Sequence, residues 1–314
     1  MRYLIGLVAL VCMTACGKSG SDGGATASAP IVLTAGNHPR SAVVQGRTRT
    51  WVLHVPPGIV TSQPTPVLYA LHGRFGTGAN TQQVYGFDAF AAAKRWVVVY
   101  PDGYSQSWND GRNATPAAVD GIDDLAFFDA IDRDLRTLMT VDDRRVFTCG
   151  MSNGAFMSAR LGSERANRFA AIGCVGGEFA SALVPTFAPA VPVSVALVHG
   201  TADTLVIYTG SSSTLGADDH AALWRTRDGI STTTNVALPD LDPGDGCTVE
   251  LSNGTGGLAG TAVVRYRIVG GGHTWPGRVG TLDIGNLCRD IDATQVLVDF
   301  FTAHPKPSAP SAAG

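Results

Sequence analysis

The sequence predicts an α/β protein in which helices cover both faces of a doubly wound, mostly parallel sheet. Short apolar runs of strand length alternate with amphipathic helical stretches along most of the chain, which is the pattern of repeated strand–helix units. The strand-like runs are apolar at consecutive positions, as expected for parallel strands buried on both faces. Of the 314 residues, 45% are hydrophobic and 16% are charged, a composition typical of a globular protein with one large core.

The predicted strands begin with a hairpin, residues 41–45 and 48–55, which turns at Gly46. The buried strands that follow are predicted at residues 67–71, 96–100, 146–149, 169–175, 193–198 and 263–269.

The strongest helix prediction covers residues 120–138, where apolar side chains recur every three or four positions on one face. Further helices are predicted at residues 82–95, 155–165, 217–227 and 290–303. Functional sites in doubly wound sheets form at the carboxyl ends of the strands, so the residues that follow each strand are the first candidates for chemistry.

The N-terminus has the pattern of an export signal. Arg2 precedes an apolar stretch, residues 4–13, that is too short to span a bilayer. Met13-Thr14-Ala15-Cys16 resembles a bacterial lipobox, which predicts a signal at residues 1–16 and a lipid on Cys16. We expect an exported lipoprotein that touches the membrane only through this anchor; secretion without lipid is the alternative, because Met13 stands where Leu is usual.

The rest of the chain is expected to form one domain between two unstructured segments. Residues 17–36 are predicted to be a flexible linker, residues 37–304 the α/β domain, and residues 305–314 a disordered tail. The formal net charge is −3 without a run of Lys or Arg, so no nucleic acid is expected as a partner.

Four cysteines lie in the predicted domain. Cys149 and Cys174 fall in apolar strands and are interpreted as core residues. Cys247 and Cys288 lie in loop-like segments, where an oxidising compartment would permit a disulfide. None of them forms a Cys-x-x-Cys pair, so no metal site is predicted.

A candidate nucleophile lies at the end of the strand predicted at residues 146–149. Gly150-Met151-Ser152-Asn153-Gly154 has the G-x-S-x-G spacing of a tight strand-to-helix turn that exposes a serine hydroxyl. Its two glycines allow the strand and the helix to approach closely. The motif alone has low specificity in a glycine-rich chain, but its place between a strand and a helix favours a catalytic role for Ser152.

A serine nucleophile needs a base and an acid that orients it. Asp203 follows the strand predicted at residues 193–198, and His273 follows the last predicted strand. The chain order Ser, Asp, His is that of serine hydrolases of this architecture. The alternative interpretation is a helix-capping aspartate and a surface histidine, and the presence of Ser152 disfavours it.

An oxyanion hole requires backbone N–H groups near the nucleophile. Asn153, the residue after the serine, should provide one N–H. The second is expected from the loop after residues 67–71, from Arg74 or otherwise from Gly73. A simple glycine-rich turn into the next helix is the alternative; a phosphate loop is disfavoured, because no Lys-Ser/Thr pair follows.

Six motifs together resemble the polyhydroxybutyrate depolymerase-type esterases, which are grouped with feruloyl and acetylxylan esterases in carbohydrate esterase family one. The resemblance covers about residues 40–303 and implies an α/β-hydrolase fold, ester hydrolysis without a cofactor, and Ser152, Asp203 and His273 as nucleophile, acid and base. Arg74-Phe75-Gly76 departs from the HGCGG pattern of many members, which points to a different acyl pocket. The motifs are LHG at 71–73, YPDG at 100–103, SWNDGR at 107–112, GMSNG at 150–154, HGTAD at 199–203 and GGGHTWPG at 270–277.

Several aromatic residues flank these motifs. Trp108, Trp275 and Tyr208 are candidates for a wall that contacts an aromatic or polymeric substrate, and the alternative is that they pack the loops against the sheet. Because no separate binding module follows the tail, we expect soluble oligomers to be better substrates than crystalline polymer.

The predicted activity is hydrolysis of a carboxylic ester through an acyl-enzyme on Ser152. Two other functions stay open at this point. A serine peptidase on the same fold would need a site for a peptide terminus, and no motif for one is present. A non-catalytic, glycan-binding surface lipoprotein would have no need for an intact triad.

Overall fold

The computed structural model describes residues 33–280 and 283–307. The predicted signal, its Cys16 and most of the linker and tail lie outside these residues. Within the described part of the chain, no helix combines the length and the apolarity that a membrane span requires.

Ten strands of the described chain form one sheet, in the order β1-β2-β4-β3-β5-β6-β7-β10-β9-β8. Their bounds are β1 Gly36–Val44, β2 Arg47–Val55, β3 Thr65–Leu71, β4 Val97–Pro101, β5 Val141–Met151, β6 Ala171–Val175, β7 Ser194–Gly200, β8 Thr233–Ala237, β9 Thr248–Gly254 and β10 Val263–Val269.

The centre of the sheet, from β4 to β10, is parallel, and antiparallel pairs extend it at both edges. Every residue of β3, β4, β6 and β7 is buried, which explains why these strands are continuous apolar runs in the sequence. The predicted fold class is confirmed. The sequence analysis did not predict β8 and β9; all five residues of β8 are exposed, so it carries no apolar signal.

Helices in the described chain pack on both faces of the sheet. They are α1 Gly78–Tyr85, α2 Phe87–Lys94, α3 Pro116–Val119, α4 Asp124–Leu138, α5 Asn153–Glu164, α6 Ala217–Asp228 and α7 Ala293–Ala303. One apolar core joins α4, α5 and α6 to the sheet, and a second lies under α2 and α7.

The single helix predicted at residues 82–95 is two helices. Gly86 ends α1 in the left-handed conformation, with φ at 66°. Glycine adopts this conformation without steric penalty, and it ends an α-helix. By contrast α4 ends at Leu138, as predicted, and begins after Asp123, whose side chain accepts a hydrogen bond from the Ala126 N–H.

Asp228, the last residue of α6, is a buried carboxylate. Its side chain is 0% exposed and Arg227 is 3.9 Å away. Among the described residues, no partner meets full hydrogen-bond geometry at either carboxylate oxygen, and the nearby Thr261 and Val193 offset the burial only in part. Burial raises the pKa of Asp228 to about 6. Because this folded-state pKa lies above that of the unfolded chain, the free energy of unfolding falls as the pH rises through about 4 to 6.

Asp228→Asn should therefore raise the free energy of unfolding at pH 8 by about 1–3 kcal/mol, and by less at pH 4.5. Thermal unfolding at both pH values measures this difference. Asp219→Asn, in the exposed part of the same helix, is the matched control and should change little. An equal gain at the two pH values would show that charge burial is not the cause.

Candidate active site

Ser152 lies in a sharp turn between β5 and α5. Its φ and ψ are 54° and −121°, a region that residues with a Cβ seldom adopt. The backbone N–H of Ser152 donates to the Val175 carbonyl at 2.9 Å, which ties the turn to the neighbouring strand β6. Such backbone strain is found at catalytic nucleophiles, where it holds the hydroxyl away from the sheet.

The glycines on either side of Ser152 are required by close packing. A Cβ on Gly150 would lie 2.6 Å from the Gly154 carbonyl carbon, and a Cβ on Gly154 would lie 2.5 Å from the carbonyl oxygens of both Leu71 and His72. Real Cβ atoms do not approach backbone atoms so closely. Glycine at both positions therefore allows this close approach, and a Cβ at either one would force the backbone to shift.

Asp203 and His273 meet at the same edge of the sheet, after β7 and β10. His273 Nδ1 is 2.6 Å from Asp203 Oδ2, and both residues are buried. The other carboxylate oxygen, Oδ1, accepts the backbone N–H groups of Leu205 and Val206, each at 2.8 Å. The carboxylate is thus held by its own loop while it faces the imidazole.

The charge of Asp203 fixes the role of each His273 nitrogen. Burial alone would raise the pKa of Asp203, but hydrogen bonds from His199 and His273 outweigh it and hold the pKa well below its ordinary value. An ionised carboxylate can only accept, so Nδ1 of His273 carries a proton and Nε2 is left to act as a base. Ser152 and His273 line the same cavity.

The predicted oxyanion donors lie beside Ser152 in this cavity, which Arg74 and Asn153 both line. Among the described residues, neither backbone N–H has a backbone or side-chain acceptor in hydrogen-bond contact. Gly73 brings the Arg74 loop close, since a Cβ on Gly73 would lie 3.5 Å from Ser152 Cβ. Two backbone N–H groups without an acceptor among the described residues, close to a serine, are the groups that an oxyanion hole requires, so their assignment as oxyanion donors stays a prediction.

The side chain of His72 holds the Arg74 loop. The Gly103 N–H donates to His72 Nε2 at 2.8 Å, and His72 Nδ1 contacts the Gly73 carbonyl at 2.7 Å. Burial lowers the pKa of His72 to about 4, so the ring is neutral and Nδ1 is the donor. His72 is therefore a structural brace behind the oxyanion loop.

Trp108 is not a substrate-contacting residue, which corrects the sequence prediction. It is fully buried and does not line the cavity. Its ring packs against His72 at a centroid distance of 4.7 Å, and its Nε1 donates to the His72 carbonyl at 2.8 Å. Trp108 therefore packs under the loop that carries Arg74. This agrees with the alternative interpretation, in which the flanking aromatic residues pack the loops against the sheet.

Tyr208 also lies away from the cavity, packed against His199 at a centroid distance of 5.5 Å. Trp275 borders the cavity but is only 1% exposed, because its ring stacks on Tyr85 with centroids 3.8 Å apart and its Nε1 donates to Thr294 Oγ1. Their predicted role as a substrate wall is therefore wrong for Tyr208, and Trp275 exposes only 1% of its surface at the border of the cavity.

The cavity has a volume of about 430 Å³, and Ser152 is part of its lining. Its lining is mainly apolar, as in most small-molecule sites. Phe75, Leu205 and Ile284 lie on its rim with exposures of 63%, 59% and 40%. Arg74 and Arg112 are the cationic side chains in its wall. The site can therefore accept an apolar acyl or aryl group next to the nucleophile.

The sequence analysis missed the residues that fix Asn153. Its amide Nδ2 donates to Asp110 Oδ2 at 2.6 Å, and its Oδ1 accepts the Trp108 N–H at 2.8 Å. Asp110 in turn binds the Arg112 guanidinium at 2.6 Å. The sequence could not reveal this contact, because it joins two segments that are 43 residues apart.

Cys247 and Cys288 carry free thiols in the structure, so the disulfide between them stays a prediction. Their sulfur atoms and an Asp245 carboxylate oxygen nevertheless lie within 4.8 Å of one another. A disulfide needs a sulfur–sulfur distance of about 2 Å, so the pair is adjacent but not bonded.

Comparison with known proteins identifies relatives that are named as esterases. A putative esterase of Nocardia uniformis, NocK, is 28% identical over 283 residues, which cover 83% of this chain and 81% of the relative. Feruloyl esterase C of Emericella nidulans is 32% identical over 143 residues, or 44% of this chain and 49% of that protein. The chain thus spans about half the length of this feruloyl esterase. No protein-family model matches the chain.

Solved structures support the fold. An acetyl xylan esterase from Aspergillus awamori superposes with a TM-score of 0.53 at 15% sequence identity, over 81% of this chain and 94% of that one. At this sequence identity the structural likeness establishes the fold alone. The inference of esterase activity rests on the sequence relatives that are named as esterases. The chain is a carboxylic-ester hydrolase of the α/β-hydrolase fold, consistent with the carbohydrate esterase family one that its motifs resemble.

Proposed function

We propose that this protein hydrolyses hydroxybutyrate oligomers, or feruloyl and acetyl esters of polysaccharides, through an acyl-enzyme on Ser152. The observation that supports it most strongly is the short contact between Asp203 and His273, in a cavity that Ser152 also lines. A protonated Nδ1 leaves His273 Nε2 free to take the serine proton.

In the first half-reaction, Ser152 Oγ attacks the ester carbonyl carbon and its proton passes to His273. The N–H groups of Arg74 and Asn153 bind the oxyanion of the tetrahedral intermediate. His273 then returns the proton to the departing alcohol, and the acyl group stays on Ser152. Water attacks the acyl-enzyme in the second half-reaction, with His273 again as base, and releases the acid.

The cavity supports small acyl or aryl esters as substrates. A volume of about 430 Å³ lies within the usual range for small-molecule sites. Phe75, Tyr85 and Trp275 line the cavity. Phe75 is 63% exposed and offers its ring to a feruloyl group or an apolar oligomer. Phe75 is part of the segment that departs from the family pattern.

We expect good activity on p-nitrophenyl butyrate, and on a hydroxybutyrate oligomer or methyl ferulate, but weak activity on crystalline polyhydroxybutyrate film. The reason is that the ester has to enter one small cavity to reach Ser152. A short, soluble ester can enter it, whereas a chain packed in a crystal cannot. Initial rates on the four substrates test the proposal, with Ser152→Ala as the blank. Rapid clearing of the film with negligible turnover of the small esters would contradict it.

We further propose that the protein works outside the cytoplasm, with Cys16 lipidated and Cys247 joined to Cys288. The lipobox-like segment supports export, and an oxidising compartment would allow the adjacent thiols to bond. Intact mass of protein from a bacterial membrane fraction, with peptide mapping under non-reducing conditions, measures both modifications. An unmodified N-terminus would contradict lipidation, and two free thiols would contradict the disulfide.

A further inference from the structure

Behind the triad, a buried chain of polar side chains leads away from Asp203. His199 Nε2 is 3.1 Å from Asp203 Oδ2, and His199 Nδ1 is 2.6 Å from Glu178 Oε1. Glu178 Oε2 in turn is 2.7 Å from His220 Nδ1, and Trp224 Nε1 donates to His220 Nε2 at 3.0 Å. Glu178, His199 and His220 are each at most 1% exposed.

The partners of each ring define its protonation state. An indole N–H can only donate, so His220 Nε2 accepts from Trp224 and His220 is neutral, with its proton on Nδ1. His199 differs, because acceptors face both of its nitrogens. The Glu178 carboxylate faces Nδ1, while the Asp203 carboxylate and the Val206 carbonyl, 2.9 Å away, face Nε2. Only an imidazolium can donate in both directions.

The electrostatic surroundings agree with this assignment. Burial would lower the pKa of His199, but the hydrogen bonds to Asp203 and Glu178 outweigh it and raise the pKa to about 9. Burial would likewise raise the pKa of Glu178, yet its hydrogen bonds from His199 and His220 hold that pKa below the ordinary value.

Other titratable and charged groups surround this chain. They are Cys174 on β6, Tyr208 after β7, His220 on α6, Arg267 on β10 and His273 after β10. Among the described residues, Glu178 and Asp203 are the carboxylates that contact the His199 ring, so no other acid can replace Glu178 there.

We propose that Glu178 and His199 are positioning residues of the esterase site. Glu178 keeps His199 as an imidazolium. His199 then donates a hydrogen bond to Asp203 Oδ2, the oxygen that also accepts the Nδ1–H of His273. The proton stays on His199 throughout the reaction cycle, so no proton transfer through the chain is involved. This inference rests on the proposed triad mechanism, because its consequence for catalysis acts through Asp203 and His273.

The protonation of His199 can be measured without any reaction. In the full-length wild-type protein with ¹⁵N-labelled histidine, both His199 nitrogens should carry protons at pH 7.5, which NMR chemical shifts report. Assignment by the His199→Gln variant identifies the resonances. Titration of His199 near the ordinary histidine pKa in the wild-type protein would overturn the proposal.

Glu178→Gln tests the consequence for catalysis. Without the carboxylate, burial lowers the pKa of His199, so the variant loses the imidazolium as the pH rises. At pH 8 we expect kcat to fall about 10- to 100-fold, as for the loss of one charge-assisted hydrogen bond, with a smaller fall at pH 6. KM should stay unchanged, because neither residue lines the cavity.

A merely structural role would lower kcat by the same factor at every pH, and that result would overturn the proposal. Glu250→Gln, which changes an exposed glutamate paired with Arg267, is the matched control and should keep the wild-type profile. If Glu178→Gln does not fold, the NMR titration of the wild-type protein still decides. Retained activity of Ser152→Ala would instead refute the proposed function and leave the protonation of His199 a separate result.

Discussion

Ser152→Ala is expected to lower kcat for p-nitrophenyl butyrate at least about 10³-fold, as removal of a triad nucleophile does in other serine hydrolases. The reason is specific to the elbow: Ser152 is the residue held at a φ of 54° between β5 and α5, at the cavity that His273 also lines. Alanine removes the hydroxyl and leaves the backbone turn, so the fold should be retained.

Circular dichroism and thermal unfolding of the same variant provide the necessary control. Both should match the wild-type protein, because the turn is held by backbone contacts, including the bond from the residue 152 N–H to the Val175 carbonyl. Comparable turnover by a correctly folded variant would place the nucleophile elsewhere.

Gly154→Ala is expected to lower both stability and activity, although alanine is the better helix former by about 1 kcal/mol. A Cβ at this position would lie 2.5 Å from the carbonyl oxygens of Leu71 and His72. Backbone atoms of a buried strand cannot move aside freely, so α5 has to shift away from β3. We expect a loss of about 1–3 kcal/mol in the free energy of unfolding, as for overpacking in a core.

The shift also moves Ser152 and Asn153 relative to the Arg74 loop, so kcat should fall together with stability. Gly162→Ala, in the same helix, is the matched control. There the new Cβ would meet the Ile172 side chain, with Cδ1 at 2.8 Å, which can change its rotamer. Kinetics and thermal unfolding of both variants decide. A Gly154→Ala protein as stable and active as Gly162→Ala would mean that the elbow tolerates a wider spacing.

The triad candidates could be named from the sequence because each follows an apolar run that ends a parallel strand. The order β5, β7 and β10 then places Ser152, Asp203 and His273 at one edge of the sheet. The same reasoning fixes the fold class, since strand length and continuous apolarity are local properties of the chain.

Burial and pairing between distant segments could not be inferred in this way. Trp108 and Tyr208 lie beside motifs in the sequence, yet both pack under loops instead of facing the cavity. Glu178 follows β6 and reaches His199 only because β6 lies between β5 and β7 in the sheet. The sequence does show that an acidic residue, Glu178, follows a strand end. It does not show that His199 is its partner, because that depends on β6 lying next to β7 in the sheet.

Covalent labelling by diethyl p-nitrophenyl phosphate tests the central claim most directly. Attack by Ser152 Oγ on phosphorus releases p-nitrophenolate and leaves one diethylphosphoryl group on the protein. Intact mass and peptide mapping should show a single adduct on Ser152, formed in step with the loss of esterase activity and absent from Ser152→Ala. An inactivated protein whose adduct maps to another side chain would contradict the account.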